Sequence, residues 1–390
     1  MKKRKVLSIH FLLLVILCAL FFSCKNKTNV DVINEIDVIT SITLTETSHT
    51  FTGDEDSFPL DQILVIEPSG AASSDIIWTS NNPNIAGVNS DGVVFGITAG
   101  TATITGTSPD GKHSVTFEIT VTKNISMVGL SAGTFNMGNP DSAAYDEDYP
   151  QHSVSIAAFS MGKYQVMQAL FEVVMGYNPS EFNLSKPSYM APGEVPQMRP
   201  VESVSWYEAI VFCNRLSIKE GKTPVYSIGG KTSPDDWGTV PVENNATWNG
   251  VAMTMSANGY RLPTEAEWEF ACRAGTISSY SCGSAPNDAY MWYVQNSNSR
   301  IHQVGLKTAN SWGLFDMHGN VMEWCWDWHN HEYYRASSSP NPTGPSGGTH
   351  RVSRGGWFGN GDPQLRSYKR ASNNPSAVNH DTGLRVVARP

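Results

Sequence analysis

The chain has 390 residues, 16% of them charged and 40% hydrophobic. That composition is globular, long enough for two to three domains, and excludes an intrinsically disordered chain. A formal net charge of −9, with no basic patch, argues against nucleic acid, whose phosphates need Lys and Arg to neutralise them.

The N-terminus reads as an export signal. Lys2, Lys3, Arg4 and Lys5 form a basic start, Val6–Phe22 is mostly apolar, and Ser23-Cys24 follows. A small residue before a cysteine predicts cleavage after residue 23 and lipidation of Cys24. A plain signal peptide or a retained helix are the alternatives, although the apolar run is short for a span. Losing residues 1–23 removes four positive charges and no acidic residue, moving the formal charge from −9 to −13. The expected location is the cell envelope, with membrane contact through the lipid only. Residues 24–36 read as a polar tether.

Residues 37–122 alternate in short strands, such as TATITGT and SVTFEITVT, with turn signals NNPN, SDG and SPDG between them. This pattern predicts an antiparallel sandwich. The run from Ile76 to Gly111 resembles the bacterial immunoglobulin-like group 2 repeat. That resemblance implies a spacer or adhesive module with Trp78 in its core.

From residue 125 to 390 the pattern changes to an α+β one with little regular structure. Val166, Leu170, Val173 and Val174 mark the buried face of a first helix. Ser205 is the expected cap of a second, with Trp206, Ala209, Ile210, Phe212 and Leu216 on one stripe and Gly221 after it. Thr264 and Glu267 form a capping box for a third, which Gly275 should end. Arg261, Glu265, Glu267 and Glu269 cluster there. Acid–base catalysis would need such carboxylates paired in a pocket, whereas a cap and a buried Arg–Glu pair explain them without chemistry.

NGYRLPTEAEWEFACRAG (Asn258–Gly275), GLFDMHGNVMEWCWDW (Gly313–Trp328) and RGGW…GLRV (Arg354–Val386) together resemble the formylglycine-generating, sulfatase-modifying enzyme family. The resemblance implies a C-type-lectin-like version of that fold. The fold class expected is thus an all-β immunoglobulin-like sandwich followed by an α+β formylglycine-generating-type, C-type-lectin-like domain. The resemblance also implies calcium on the GLFDMHGNVMEW stretch. Asp316 and Glu323 would supply carboxylates and Gly319 and Val321 carbonyl oxygens, the hard ligands such a cation takes.

The family's enzymes use a cysteine pair just after the RGGS-like motif, to bind copper. Here Trp357 stands at the serine and no cysteine follows Cys325. Soft Cu(I) needs soft ligands, so no copper and no catalytic residue are expected. No C-x-x-C occurs, and Cys213, Cys272, Cys282 and Cys325 leave three disulfide pairings open. His302, His318, His329 and His331 invite a metal reading, but solvated or packed histidines explain them as well.

The terminal segment instead mixes aromatic and hydrogen-bonding groups, as adaptable binding surfaces do. The candidate ligand-binding residues are Trp357, Phe358, Asn360, Asp362, Gln364, Tyr368, Ser372, Asn373 and His380. Arg354, Gly355, Gly356, Arg366, Arg370, Gly383, Leu384 and Arg385 read as its framework. This part resembles the treponemal variable surface lipoproteins, which vary side chains there. The expected function is non-catalytic binding of a protein or glycan. An oxidase or maturation factor acting on a protein cysteine, and a structural envelope component, are the alternatives.

Overall fold

A computed structural model describes residues 39–52, 57–69, 71, 73–141, 147–186, 191–336 and 340–390. The leader, Cys24 and the tether lie outside them. Residues 39–390 form one compact unit.

The N-terminal module is a β-sandwich built on alternation. Gly100–Thr107 pairs antiparallel with Ser114–Val121 from Gly100↔Val121 to Thr107↔Ser114. Ala102, Ile104, Phe117, Ile119 and Val121 all turn inward. Ile77–Ser80 and Ser48–Phe51 complete that sheet on either side. A second sheet of Ser57–Pro59, Val93–Gly96 and Ala86–Val88 covers it, closing Phe51, Leu60, Ala86 and Val94 into one core. Trp78 is only half-buried. Its indole lies over Gly106 and Gly92, where an added Cβ would come within 2.5 and 2.9 Å of the ring.

The second domain is α+β, with short strands and few helices. The Trp206–Lys219 helix starts at a Ser205/Glu208 capping box and buries Trp206, Ala209, Ile210, Phe212 and Leu216, as the stripe predicts. The Gln168–Met175 helix buries Leu170, Phe171 and Met175, while Val173 and Val174 are half-buried at its side. The Glu265–Arg273 helix has the expected Thr264/Glu267 box, but Ala274, at φ 47°, is its left-handed stop, one residue before Gly275.

That third helix packs on the sheet that organises the domain. Met322–Trp328 lies at its centre. Arg351–Arg354 runs antiparallel to it, then Arg370–Asn373, with Thr382–Gly383 parallel on the other side. Val387–Ala388 pairs with Phe159–Gly162, so the chain end is stapled to the start of the domain.

The two domains touch. Ile97 packs with Ala169, Val195 and Met198 in one cluster. Asn84 donates to Glu172 at 3.3 Å and Asn124 to Glu220 at 3.2 Å.

Candidate functional site

Three charged pairs join the third helix to its surroundings, and a fourth lies within it. Arg370 donates to both oxygens of Glu265 at 2.7 and 2.9 Å. Arg354 bonds Glu269, which also takes Arg273 at 2.8 Å. Arg261 forks onto Glu267 at 2.6 and 2.7 Å. All these side chains are buried. Burial pushes the Glu265 carboxyl up, but Arg370 and Arg354 outweigh it and hold it below its ordinary value. Each acid has its arginine, so the cluster ties the C-terminal strands to the helix and offers no spare acid–base pair.

The Gly313–Trp324 loop gathers oxygen atoms around one amide. Gln165 follows the Phe159–Gly162 strand, and its Nε2 lies 2.8 Å from Val321 O and 3.1 Å from Glu323 Oε1. Asp316 O at 3.3 Å and Gly319 O at 3.4 Å complete the ring. These are the four residues that the resemblance marks for calcium, with one difference. Asp316 turns its main-chain carbonyl, not its carboxylate, towards the centre. Its Oδ2 accepts from Gly305 N at 2.8 Å, and its buried Oδ1 has no partner. Burial pushes this carboxyl up to about 6 despite the Gly305 N–H and Arg385. Glu323 also accepts from Trp268 Nε1 at 2.7 Å and from Arg385 Nη2 at 2.8 Å.

An amide NH2 has two hydrogens and cannot satisfy four acceptors. Gln165 Oε1 is itself buried without a partner. Turning the amide over would place a fifth oxygen in the ring, an arrangement of the kind that a hard cation takes. The donor set therefore fits a hard cation. No sequence signal marks Gln165, because only the fold brings it to a loop about 150 residues on.

The terminal candidates separate into surface and core. Trp357, Asn360 and Gln364 line a recess of about 190 Å³ with Met322, Ser353 and Lys369. Trp357 is half-buried and Gln364 exposed. His380 is exposed, with its ring 5.8 Å from that of Trp357. Asp362 takes the Tyr280 hydroxyl, and Ser372 and Asn373 sit half-buried on the Arg370–Asn373 strand. Phe358 and Tyr368 turn inward instead, at 4% and 5% exposed. Phe358 packs with Phe182, Ile301 and Val321. Tyr368 lies under Arg273 and takes a hydrogen bond from Arg366. Both are thus packing residues, with too little exposed surface to serve as a contact face. Of the framework residues, Arg354, Arg370 and Arg385 are 0–3% exposed, whereas Arg366 is half-buried.

The histidines do not converge. His302 pairs with Glu194 at 2.6 Å and stacks on Trp292, and His329 pairs with Glu147 at 2.7 Å. His318 lies between Ser281 and Leu365 O, pushed down to about 4 by burial, and His331 is exposed. Cys213, Cys272 and Cys325 are buried, Cys282 is half-buried, and no two of the four form a disulfide. Burial raises the thiol of Cys272 to about 12 and also raises that of Cys282. A thiolate is therefore disfavoured at each.

Comparison with known proteins matches this architecture. A family model described as "Sulfatase-modifying factor enzyme 1-like domain" covers residues 113–390, and "Bacterial Ig-like domain (group 2)" covers 38–119. The solved structure of Treponema denticola variable protein 1 is 38% identical, with a TM-score of 0.61 over 71% of this chain and 96% of that one. "Chaperone protein LppX" of Paenibacillus barcinonensis is 37% identical over 260 residues, 61% of this chain and 83% of its own length. The formylglycine-generating enzyme of Thermomonospora curvata is 30% identical over 68% of this chain and 93% of its own.

Proposed function

The chain belongs to the sulfatase-modifying factor enzyme 1-like domain family, and from that premise we propose that its family domain is a non-catalytic binding module of the cell envelope. The observation that carries this reading is the recess at Trp357. It occupies the segment where the family's enzymes hold their thiol pair, and no cysteine follows Cys325 in the sequence. A bis-thiolate copper site cannot form from Asn360, Gln364 and Lys369. An indole beside amide and ammonium groups instead suits a polar ligand with one apolar face, a protein loop or a glycan. The Treponema relative is named a variable protein and the Paenibacillus relative a chaperone, whereas the Thermomonospora relative is named a formylglycine-generating enzyme.

Calcium belongs to the same reading, as a structural ion. The oxygens of Asp316, Gly319, Val321 and Glu323, with the Gln165 amide turned over, would hold it and stiffen the loop beneath the Met322 wall of the recess. Envelope attachment through Cys24 completes the proposal.

The test uses purified protein in two assays. With Cu(I) and a cysteine-containing sulfatase peptide, no aldehyde should form. On glycan and peptide arrays, Trp357→Ala should weaken the recovered ligand by more than about 1 kcal/mol, as loss of an aromatic anchor does. Copper-dependent aldehyde would overturn the reading, and a ligand indifferent to Trp357→Ala would move the site elsewhere.

A further inference from the structure

Towards the other end of the central strand lies a second recess, of about 420 Å³. Trp326, Trp328, Val251 and Pro345 give it apolar walls, and Arg351 is its one cationic residue. Gly250 and Ser346 stand exposed at the mouth, while Arg351 is 1% exposed. Trp357 does not line it.

Arg351 differs from every other deeply buried arginine of the domain. Arg354, Arg370, Arg385, Arg261, Arg273 and Arg199 each face a glutamate. Arg351 forms no ion pair among the described residues. It donates one hydrogen bond, from Nη1 to Trp326 O, and its buried Nε has no partner. Its Cζ lies 3.7 Å from the Trp206 ring centre and 3.5 Å from that of Trp328. Two rings that close to one planar carbon must cover its opposite faces. Only the in-plane edge of the fork remains for an acceptor, the geometry in which guanidinium takes a carboxylate. A buried cation without a direct ion pair is costly, and burial pushes Arg351 down to about 9 although Tyr226 and Asp327 act the other way.

The charge of the ligand follows from its surroundings. One arginine balances one negative charge, and no second cation lines the recess. Asp327 lies behind the Thr343–Ser346 loop, where a Cβ on Gly344 would come 3.0 Å from its Oδ1. A dianion would meet that acid. Two indoles and a proline favour a flat or ring-shaped body over a small hydrated ion.

We propose that this recess binds a monocarboxylate with a ring-shaped body, its carboxylate paired in plane with Arg351 and its ring against Trp326 and Trp328. The site is independent of the one at Trp357. An aromatic acid and a sugar acid share this chemistry, and the assay separates them.

Isothermal titration of the purified chain with benzoate and with glucuronate provides the test, with benzamide and inorganic phosphate as controls. At least one carboxylate should bind with a dissociation constant on the order of 1 mM, as expected for so small a ligand. Benzamide and phosphate should bind about tenfold more weakly or not at all. Tighter binding of benzoate assigns an aromatic acid, and tighter binding of glucuronate a sugar acid. Arg351→Lys keeps the charge but loses the fork, and should weaken binding about tenfold. Ser346→Glu, exposed at the mouth, should leave folding intact and weaken binding about fivefold by repulsion. Trp357→Ala should leave it unchanged. Absence of carboxylate binding, equal affinity for benzamide, a preference for phosphate, or full affinity in Ser346→Glu would each overturn the proposal. Ser346→Glu decides the matter if Arg351→Lys unfolds.

Discussion

Asp316→Asn isolates one buried charge and measures what it costs. The Asp316 carboxyl is 2% exposed, and burial raises it from 3.8 to about 6. A folded value above the unfolded one means that the folded state binds the proton more tightly. The resulting stability is present below about pH 3.8 and is lost as pH rises through about 6. A difference of about 2 pH units corresponds to about 3 kcal/mol. Asparagine has no such titration but can still accept from Gly305 N. Its second amide atom replaces the unpartnered Oδ1, a cost that is the same at every pH and cancels in a comparison. Urea and thermal unfolding of both proteins, in chelator at pH 4 and pH 8, read the difference. From pH 4 to pH 8 the variant should gain about 2.4 kcal/mol on the parent, slightly less than the full difference because pH 4 already lies above 3.8, and for a unit of this size that is about 3 °C in Tm. Identical pH dependence of the two proteins would refute the reasoning, since it would mean that Asp316 ionises as freely folded as unfolded.

The same loop should respond to calcium. At a hundredfold excess over its dissociation constant the ion should stabilise the parent by about 2.7 kcal/mol, and a chelator should abolish the gain, as differential scanning calorimetry can show. Glu269→Gln removes the carboxylate that Arg273 and Arg354 share, leaving Arg354 only Glu265 at 3.6 Å, and should cost about 3–5 kcal/mol in chemical denaturation; a loss under 1 kcal/mol would mean that the remaining partners suffice. Gly319→Ala should be worse than an ordinary Gly→Ala change, because φ is 94° and the new Cβ would stand 2.0 Å from Trp292 O; soluble protein of parental Tm would argue against this loop geometry. Cys24→Ala should release the chain from membranes in cell fractionation, and unchanged partition would remove the lipid anchor from the proposal.

The sequence by itself determined what depends on neighbours along the chain. Alternation over residues 100–107 and 114–121 sets which side chains face the sandwich core, since the period of a strand is local. Ser205 and Thr264 mark helix starts because a cap acts on amides within three residues. The lack of cysteine after Cys325 is likewise read straight from the chain. Tertiary structure decided whatever joins distant segments. Phe358 and Tyr368 look like surface aromatics in sequence, yet the fold closes Phe182 and Arg273 over them. Gln165 reaches the Asp316–Glu323 loop because Val387–Ala388 and Phe159–Gly162 pair, a pairing that also brings Arg385 to the same Glu323 oxygen. Arg351 reads as one more framework arginine until its surroundings are seen. Six of its counterparts meet a glutamate, whereas the fold gives Arg351 two tryptophan faces and leaves its buried Nε without a partner. Charge pairing and burial depend on three-dimensional neighbours, which no local period encodes.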